Sequence, residues 1–149
     1  MSSVESFDVV VVGAGPAGCC AARHAALGGA SVLLVERRRQ IGLPVQCAEF
    51  VPWQLGQAVP IPGRCVAQEI QKMRTTLPSG DVVERPSRGY VLERALFDRH
   101  LAVLARRAGA ELRAGWRADG WDGHEVLLRR GSREARVRAH AIVGADGPY

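Results

Sequence analysis

The sequence predicts an α/β fold: a parallel sheet carrying a helix, followed by part of a second, antiparallel sheet. Three observations carry that expectation. The run Phe7–Val12, a glycine-rich turn and an alanine-rich stretch to about Leu27 read as a buried strand, a tight turn and a helix. Ser31–Glu36 supplies a second apolar strand, so the three form a βαβ unit that crosses over right-handed. Farther on, Val66–Leu77 and Val82–Glu84 flank Pro78-Ser79-Gly80-Asp81, a turn sequence that marks a hairpin belonging to a different sheet.

Composition bounds the class. A chain of 149 residues can bury a core without disulfide staples. Apolar residues make up 47% and charged residues 23%, which excludes disordered, collagen-like and coiled-coil architectures. The formal charge of +5 comes from nineteen arginines and a single lysine, Lys72, set against fifteen acids. The densest basic runs, Arg37-Arg38-Arg39 and Arg129-Arg130, are short. They read as solvated surface, and nucleic acid is not an expected partner. Aromatic residues, at 5%, are too few for a base-stacking platform. Four cysteines form no Cys-x-x-Cys pair, so neither a metal site nor a disulfide framework is expected. The first apolar run lacks a basic leader and breaks at Gly13, and no stretch approaches the roughly 18 apolar residues of a membrane span. A soluble, cytoplasmic protein is the expectation.

The remaining elements follow in order. Gly28-Gly29 ends the first helix, because glycine accepts the left-handed conformation of a helix C-terminus. From Arg37 to Arg64 the pattern dissolves into Gly, Pro and Gln, which reads as a long irregular loop. Phe97, Leu101, Leu104, Ala105 and Ala108 fall at helical spacing within Glu93–Ala108, and Gly109 follows as the cap. Glu111–Arg117 reads as a strand, Glu125–Arg130 and Glu134–Arg138 as a hairpin, and Ala141–Val143 as a last short strand entering Gly144-Ala145-Asp146-Gly147.

Chemistry concentrates at Gly13-x-Gly15-x-x-Gly18, which follows a strand and opens a helix. Gly13 permits the tight turn, Gly15 the approach of backbone to a pyrophosphate, and Gly18 close helix–strand packing. The helix N-terminus offers free N–H groups and a positive dipole end to phosphates, with Ala17 in its first turn. Glu36, on the order of 20 residues downstream, can accept hydrogen bonds from a ribose diol. A glutamate there disfavours a 2′-phosphate, so the ligand is FAD or NAD rather than NADP. The plain alternative is a structural turn beside a solvated glutamate.

The order of these motifs carries a resemblance. Gly13–Gly18 as GAGPAG, Glu36-Arg37, Arg94-x-x-Phe97-Asp98 and Gly144-Ala145-Asp146-Gly147 resemble FAD-dependent enzymes of the p-hydroxybenzoate hydroxylase fold. Within that superfamily, Gly42–Glu49, with its Pro-x-x-Cys-Ala-Glu, is similar to a segment of the geranylgeranyl reductase family. The resemblance spans Val9 to Gly147 and implies an N-terminal portion of that fold. Residues 1–149 would form a Rossmann-like FAD/NAD(P)-binding domain, with 66–92 as strands of the substrate sheet and the rest of the family fold absent. It implies FAD contacts at Gly13, Gly15, Ala17, Gly18, Glu36, Arg37, Cys47, Ala48, Arg94, the backbone near Ala118, and Asp146.

The implied activity is reduction of C=C bonds in isoprenoid chains of lipids or chlorophylls, by hydride from reduced flavin and a proton from an acid such as Cys47. An ordinary thiol is largely protonated at neutral pH and can serve as that acid. Its plain alternative is a small buried hydrophobe. Cys19, Cys20 and Cys65 read as structural. Arg94 opens a helix where a cation opposes the dipole, which points either to a phosphate or ribityl partner or to an ion pair with Asp98. Asp146 could contact a ribityl hydroxyl or cap a following helix, and the two roles are not exclusive. His24, His100, His124 and His140 show no ligand-pair spacing, and hydrolase and P-loop motifs are missing. NADPH is the analogous reductant, and ferredoxin would serve as well. A lipid substrate implies peripheral membrane contact. Two other readings stay open: an FAD-dependent aromatic monooxygenase or halogenase of the same fold, and a nucleotide-binding module without turnover, completed by a second polypeptide.

Overall fold

The computed structural model describes residues 4–147. Its elements are β1 (Glu5–Val12), α1 (Pro16–Leu27), β2 (Val32–Glu36), β3 (Phe50–Pro52), α2 (Leu55–Ala58), β4 (Val66–Thr76), β5 (Val82–Leu92), α3 (Arg94–Arg107), β6 (Glu111–Ala114), β7 (Arg117–Trp121), β8 (Glu125–Arg130) and β9 (Arg133–Gly144). The chain divides into two compact units, residues 1–43 with 98–149, and residues 44–97.

The first unit is built on a six-stranded sheet of order β6-β2-β1-β9-β8-β7. Strands β6, β2, β1 and β9 are mutually parallel, whereas β9-β8-β7 is an antiparallel meander. Alternation along β1 divides its side chains between the two faces. Val10 and Val12 lie in a cluster with Leu33, Val35, Val126, Leu128 and Val137, while Val11 is buried outside that cluster. Helix α1 packs on β1, β2 and β9 through a small-residue surface that includes Cys19 and Ala22. At the start of β2, the Ser31 amide and hydroxyl both donate to the Asp8 carboxylate at 2.7 Å. The hydroxyl, then the amide, hold the Asp8 carboxyl below its usual range.

The structure revises two boundaries in this unit. The expected strand over 111–117 is split by a turn at Gly115-Trp116, and β7 begins only at Arg117. Gly115 takes φ +80°, a conformation that breaks a strand. The expected strands at 134–138 and 141–143 are one continuous strand, β9, which pairs with β8 on one edge and with β1 on the other. Its polar stretch resembled a hairpin end because its first residues pair with β8 alone. The expected parallel sheet is present as β6, β2, β1 and β9, and the expected hairpin of β8 with β9 extends it as an antiparallel edge.

The second unit carries a three-stranded antiparallel sheet of order β3-β5-β4. The hairpin around Pro78–Asp81 forms as expected, and β5 runs on to Leu92, well beyond Glu84. The stretch read as irregular from 37 to 64 holds β3, α2 and the start of a 3-10 turn at Gly63–Cys65. Its short elements lack the periodicity that sequence reading depends on. Strand β3 lies so close to β5 that a Cβ on Gly89 would come within 2.4 Å of the Val51 carbonyl oxygen.

Candidate dinucleotide site

The site in the first unit is assembled from three strand ends. Gly13 leaves β1 with φ +102°, and its amide donates to the Val35 carbonyl at 2.7 Å. A Cβ there would fall 2.3 Å from the Ala145 carbonyl oxygen, at the exit of β9. A Cβ on Gly18 would fall 1.8 Å from the Gly13 carbonyl oxygen, inside covalent-like range. Both positions therefore require glycine because backbone occupies the space. Gly15 is different: nothing lies within 4 Å of where its Cβ would be, so its backbone faces open space. Of the three glycines, it alone can admit a ligand against the main chain.

Gly15 is the N-cap of α1, Pro16 occupies the first helical position, and no side chain caps the helix. The first intrahelical bond runs from the Cys19 amide to the Gly15 carbonyl at 2.9 Å. The amides of Ala17 and Gly18 thus belong to the orphan donors of the first turn, and they are presented at the positive end of the helix dipole. A pyrophosphate is the anion this arrangement suits. Burial, with the negative charges of Asp98, Cys20 and Glu36, pushes the Cys19 thiol up to about 12. The helix side of the loop is thereby closed to thiolate chemistry.

Glu36 does more than the sequence suggested. Its Oε2 accepts the Ala14 amide at 2.9 Å and its Oε1 accepts the Arg38 amide at 2.8 Å. The carboxylate pins the glycine loop to the end of β2 and shapes the turn into Arg37-Arg38. Each oxygen retains a second lone pair, so acceptance from a ribose diol remains stereochemically open. Trp116, whose amide donates to the Glu36 carbonyl at 3.0 Å, and Ala145, whose amide donates to the Val12 carbonyl at 2.8 Å, complete the frame. Sequence reasoning missed Ala14, Arg38, Trp116 and Ala145 because they contribute backbone groups, which leave no residue-type signal. Only the smallness of Ala14 and Ala145 hinted at close approach.

Of the expected site residues, the structure brings Gly13, Gly15, Ala17, Gly18 and Glu36 into one frame in this unit. Arg37 is exposed just past Glu36, and Asp146 is exposed one residue beyond Ala145. Ala118 lies on β7 with its side chain packed on the core cluster and its backbone paired with Leu128. Cys47, Ala48 and Arg94 belong to the second unit. There, Cys47 is exposed and its Sγ accepts the Glu49 amide at 3.3 Å. Glu49 has φ +65°, alone among the described non-glycine residues in the left-handed region. Such strain is retained where surroundings enforce it, and the Leu92 amide, donating to the Glu49 carbonyl at 3.0 Å, supplies one such restraint. Arg94 opens α3 and is half-buried.

A βαβ unit with a glycine loop pinned by a glutamate, joined to an antiparallel sheet, defines a dinucleotide-binding oxidoreductase architecture. The family model described as FAD dependent oxidoreductase matches residues 8–70. An uncharacterized Methanosarcina barkeri protein from the nifH2 5′ region is 44% identical over 96% of this chain and 83% of its own length. A digeranylgeranylglycerophospholipid reductase of Methanosarcina acetivorans is 41% identical over 96% of this chain. A geranylgeranyl bacteriochlorophyll reductase-like protein from Thermoplasma acidophilum superposes with a TM-score of 0.88 at 34% identity over 97% of this chain. A flavin-dependent brominase, at 22% identity and a TM-score of 0.81, shares the fold.

The chain belongs to the geranylgeranyl reductase family of FAD-dependent oxidoreductases. It spans 38% of the M. acetivorans reductase and 40% of the T. acidophilum protein.

Proposed function

We propose that this chain binds FAD through the glycine loop and Glu36, and that the protein it represents reduces C=C bonds of isoprenoid chains. One observation carries the first part: Gly15 opens onto free space while Gly13 and Gly18 are sealed by backbone, so the loop is built to admit a ligand at that point alone. The donor set fits FAD. Orphan amides at the start of α1 suit a pyrophosphate, and the Glu36 oxygens suit a ribose diol. Bound FAD would supply the hydride for alkene reduction.

The chain's own residues do the rest. The amides of Ala17 and Gly18 hold the phosphates, and Glu36 fixes the loop and orients the ribose. Arg37, Ala48, Arg94, the backbone near Ala118 and Asp146 are further cofactor contacts in this reading. Cys47 holds the proton for the second alkene carbon; its exposure and its place in a strained loop support that role. The names of the reductases at 34–41% identity support the isoprenoid substrate. The reductant, whether NADPH or ferredoxin, acts on the bound flavin. In this reading a lipid substrate would bring the protein to a membrane surface peripherally; no helix among the described residues is long and apolar enough to cross a membrane.

The test is the visible spectrum of the purified chain after FAD addition and exhaustive dialysis, followed by anaerobic incubation of the reduced sample with a geranylgeranyl lipid. Retained flavin bands and a product heavier by two hydrogens per double bond are expected. Cys47→Ser should keep the flavin and lower product formation; unchanged turnover removes Cys47 from the chemistry. Oxygen consumption that depends on an aromatic substrate would overturn the reductase reading in favour of a monooxygenase. Loss of the bands would reduce the chain to a module completed by another polypeptide.

A further inference from the structure

Charge is unevenly spread along the chain. Between Arg39 and Arg64 a single charged residue occurs, Glu49, in a sequence of which 23% is charged. Residues 50–63 carry no charge, and Val51, Trp53, Leu55, Val59 and Ile61 are spaced along them. An apolar, uncharged stretch normally builds core, but this one stays at the surface of the second unit. Helix α2 has no buried residue. Val51, Leu55, Val59 and Ile61 are half-buried, Ala58 and Pro60 are exposed, and Trp53 is 41% exposed.

The main chain of this segment supplies many of its own partners. The Trp53 amide donates to the Arg88 carbonyl at 3.2 Å and the Gly56 amide to the Trp53 carbonyl at 3.1 Å. The Gln57 amide donates to the Gln54 carbonyl at 3.0 Å and the Val59 amide to the Leu55 carbonyl at 2.9 Å. Pro52, Pro60 and Pro62 have no N–H to satisfy. These residues present no free backbone donor, and stripping water from such a donor is what makes entry into a lipid layer costly. Cations stand at the borders. Arg64 follows the segment and Arg88 is tied to it by the Trp53 bond; both are exposed.

Trp121, on β7 in the first unit, is the contrasting case. It is 46% exposed, but Arg117 and Asp119 share its strand and Asp122 follows it. Seating that tryptophan in an apolar layer would desolvate charges beside it, whereas Trp53 has uncharged neighbours on both sides.

We propose that residues 50–63 seat the second unit on an anionic lipid bilayer, with Trp53 at headgroup level and Arg64 and Arg88 on lipid phosphates. The inference rests on the isoprenoid-lipid reading of the substrate and adds the surface through which the protein meets the bilayer. An aromatic ring with an apolar body and a polar N–H suits the membrane interface, and basic residues beside an apolar anchor complement its negative potential. A second copy fits less well, because an isologous contact would bring the bordering arginines of both copies to one rim.

The experiment is binding of the purified chain, without substrate, to phosphatidylcholine–phosphatidylglycerol vesicles, read by flotation and by quenching of tryptophan fluorescence with brominated lipids. Trp53→Ser should lower the partition coefficient roughly tenfold, the order for burying what remains of one large side chain, and should abolish the quenching. Trp121→Ser should change binding less than roughly twofold and leave the quenching. Gln57→Glu keeps the shape of an exposed side chain and adds one negative charge, so it tests the surface without disturbing packing. It should weaken binding roughly fivefold. Undiminished binding by Trp53→Ser and Gln57→Glu, or equal loss in Trp121→Ser, overturns the proposal. Absence of vesicle binding overturns it as well, and a concentration-dependent dimer that Trp53→Ser dissolves would then assign the segment to a second copy. Vesicle binding is read without turnover, so the two readings fail separately. Alkene reduction in detergent without Trp53-dependent binding removes this surface alone, and Trp53-dependent binding without alkene reduction removes the substrate reading alone.

Discussion

In the first unit, the glycine loop is held from every side: Gly13 against Ala145, Gly18 against Gly13, Ala14 and Arg38 on the two Glu36 oxygens. In the second unit, the segment from Pro44 to Ala48 is exposed throughout, and Cys47 meets a single backbone donor. The first loop sits at the ends of β1, β2 and β9, and the central residues of β1 and β2 are fully buried. The second leads into a three-residue strand and a sheet whose buried residues are few, Gly89 and Leu92 among them. The difference teaches where rigidity is invested. A pyrophosphate cradle needs amides fixed before the ligand arrives, because ordering them on binding would consume the binding energy. A segment that meets a substrate tolerates exposure, and its strain at Glu49 is local.

Gly18→Ala challenges this contrast most severely. A Cβ 1.8 Å from the Gly13 carbonyl oxygen forces backbone apart where two elements meet. The expected loss is about 3 kcal/mol or more, read as a large drop in thermal midpoint. A midpoint unchanged from that of the native chain would mean that the loop is softer than its contacts imply.

Gly15→Ala sharpens the same point from the other direction. The backbone there is extended, at φ −73° and ψ −177°, and open, so alanine fits without collision. Stability should change by no more than about 1 kcal/mol, the order of an N-cap exchange, while FAD affinity falls at least roughly tenfold as the methyl fills the approach path. Denaturant unfolding and flavin-fluorescence titration separate the two effects. Equal affinity would place the pyrophosphate elsewhere.

The mildest comparison uses the four cysteines as reporters. Cys47 should react first with a thiol reagent in the folded chain, because it is exposed. Cys19 and Cys65 should stay protected until the chain unfolds, since both are buried and the Cys19 thiol is pushed up to about 12. Burial also raises the half-buried Cys20 thiol, which places it between them. Mass spectrometry of partially labelled protein gives the order directly, and early modification of Cys65 would show that the second unit opens readily.

The βαβ unit was legible because its signals are local. β-branched residues mark β1, alanines mark α1, and Gly13-x-Gly15-x-x-Gly18 marks the turn between them. The hairpin at Pro78–Asp81 was legible for the same reason. The segment containing β3, α2 and the 3-10 turn was not, since elements of three or four residues show no period. Strand β9 was divided in two because its pattern changes where its partners change, from β8 alone to β8 and β1 together and then to β1. Among site residues, Gly13, Gly18 and Glu36 follow from residue type, whereas Ala14, Arg38, Trp116 and Ala145 act through main-chain groups common to every residue.

The amino-acid sequence by itself determined the βαβ unit, the hairpin and the glycine–glutamate pairing. Each depends on side-chain type within a short window, where steric preference and apolar periodicity decide. Only the tertiary structure decided that Gly15 is open while its neighbours are sealed, and that Glu36 spends its oxygens on backbone amides. Those outcomes depend on which strand ends the sheet order brings side by side, and register between distant strands is not encoded in any one window of the chain.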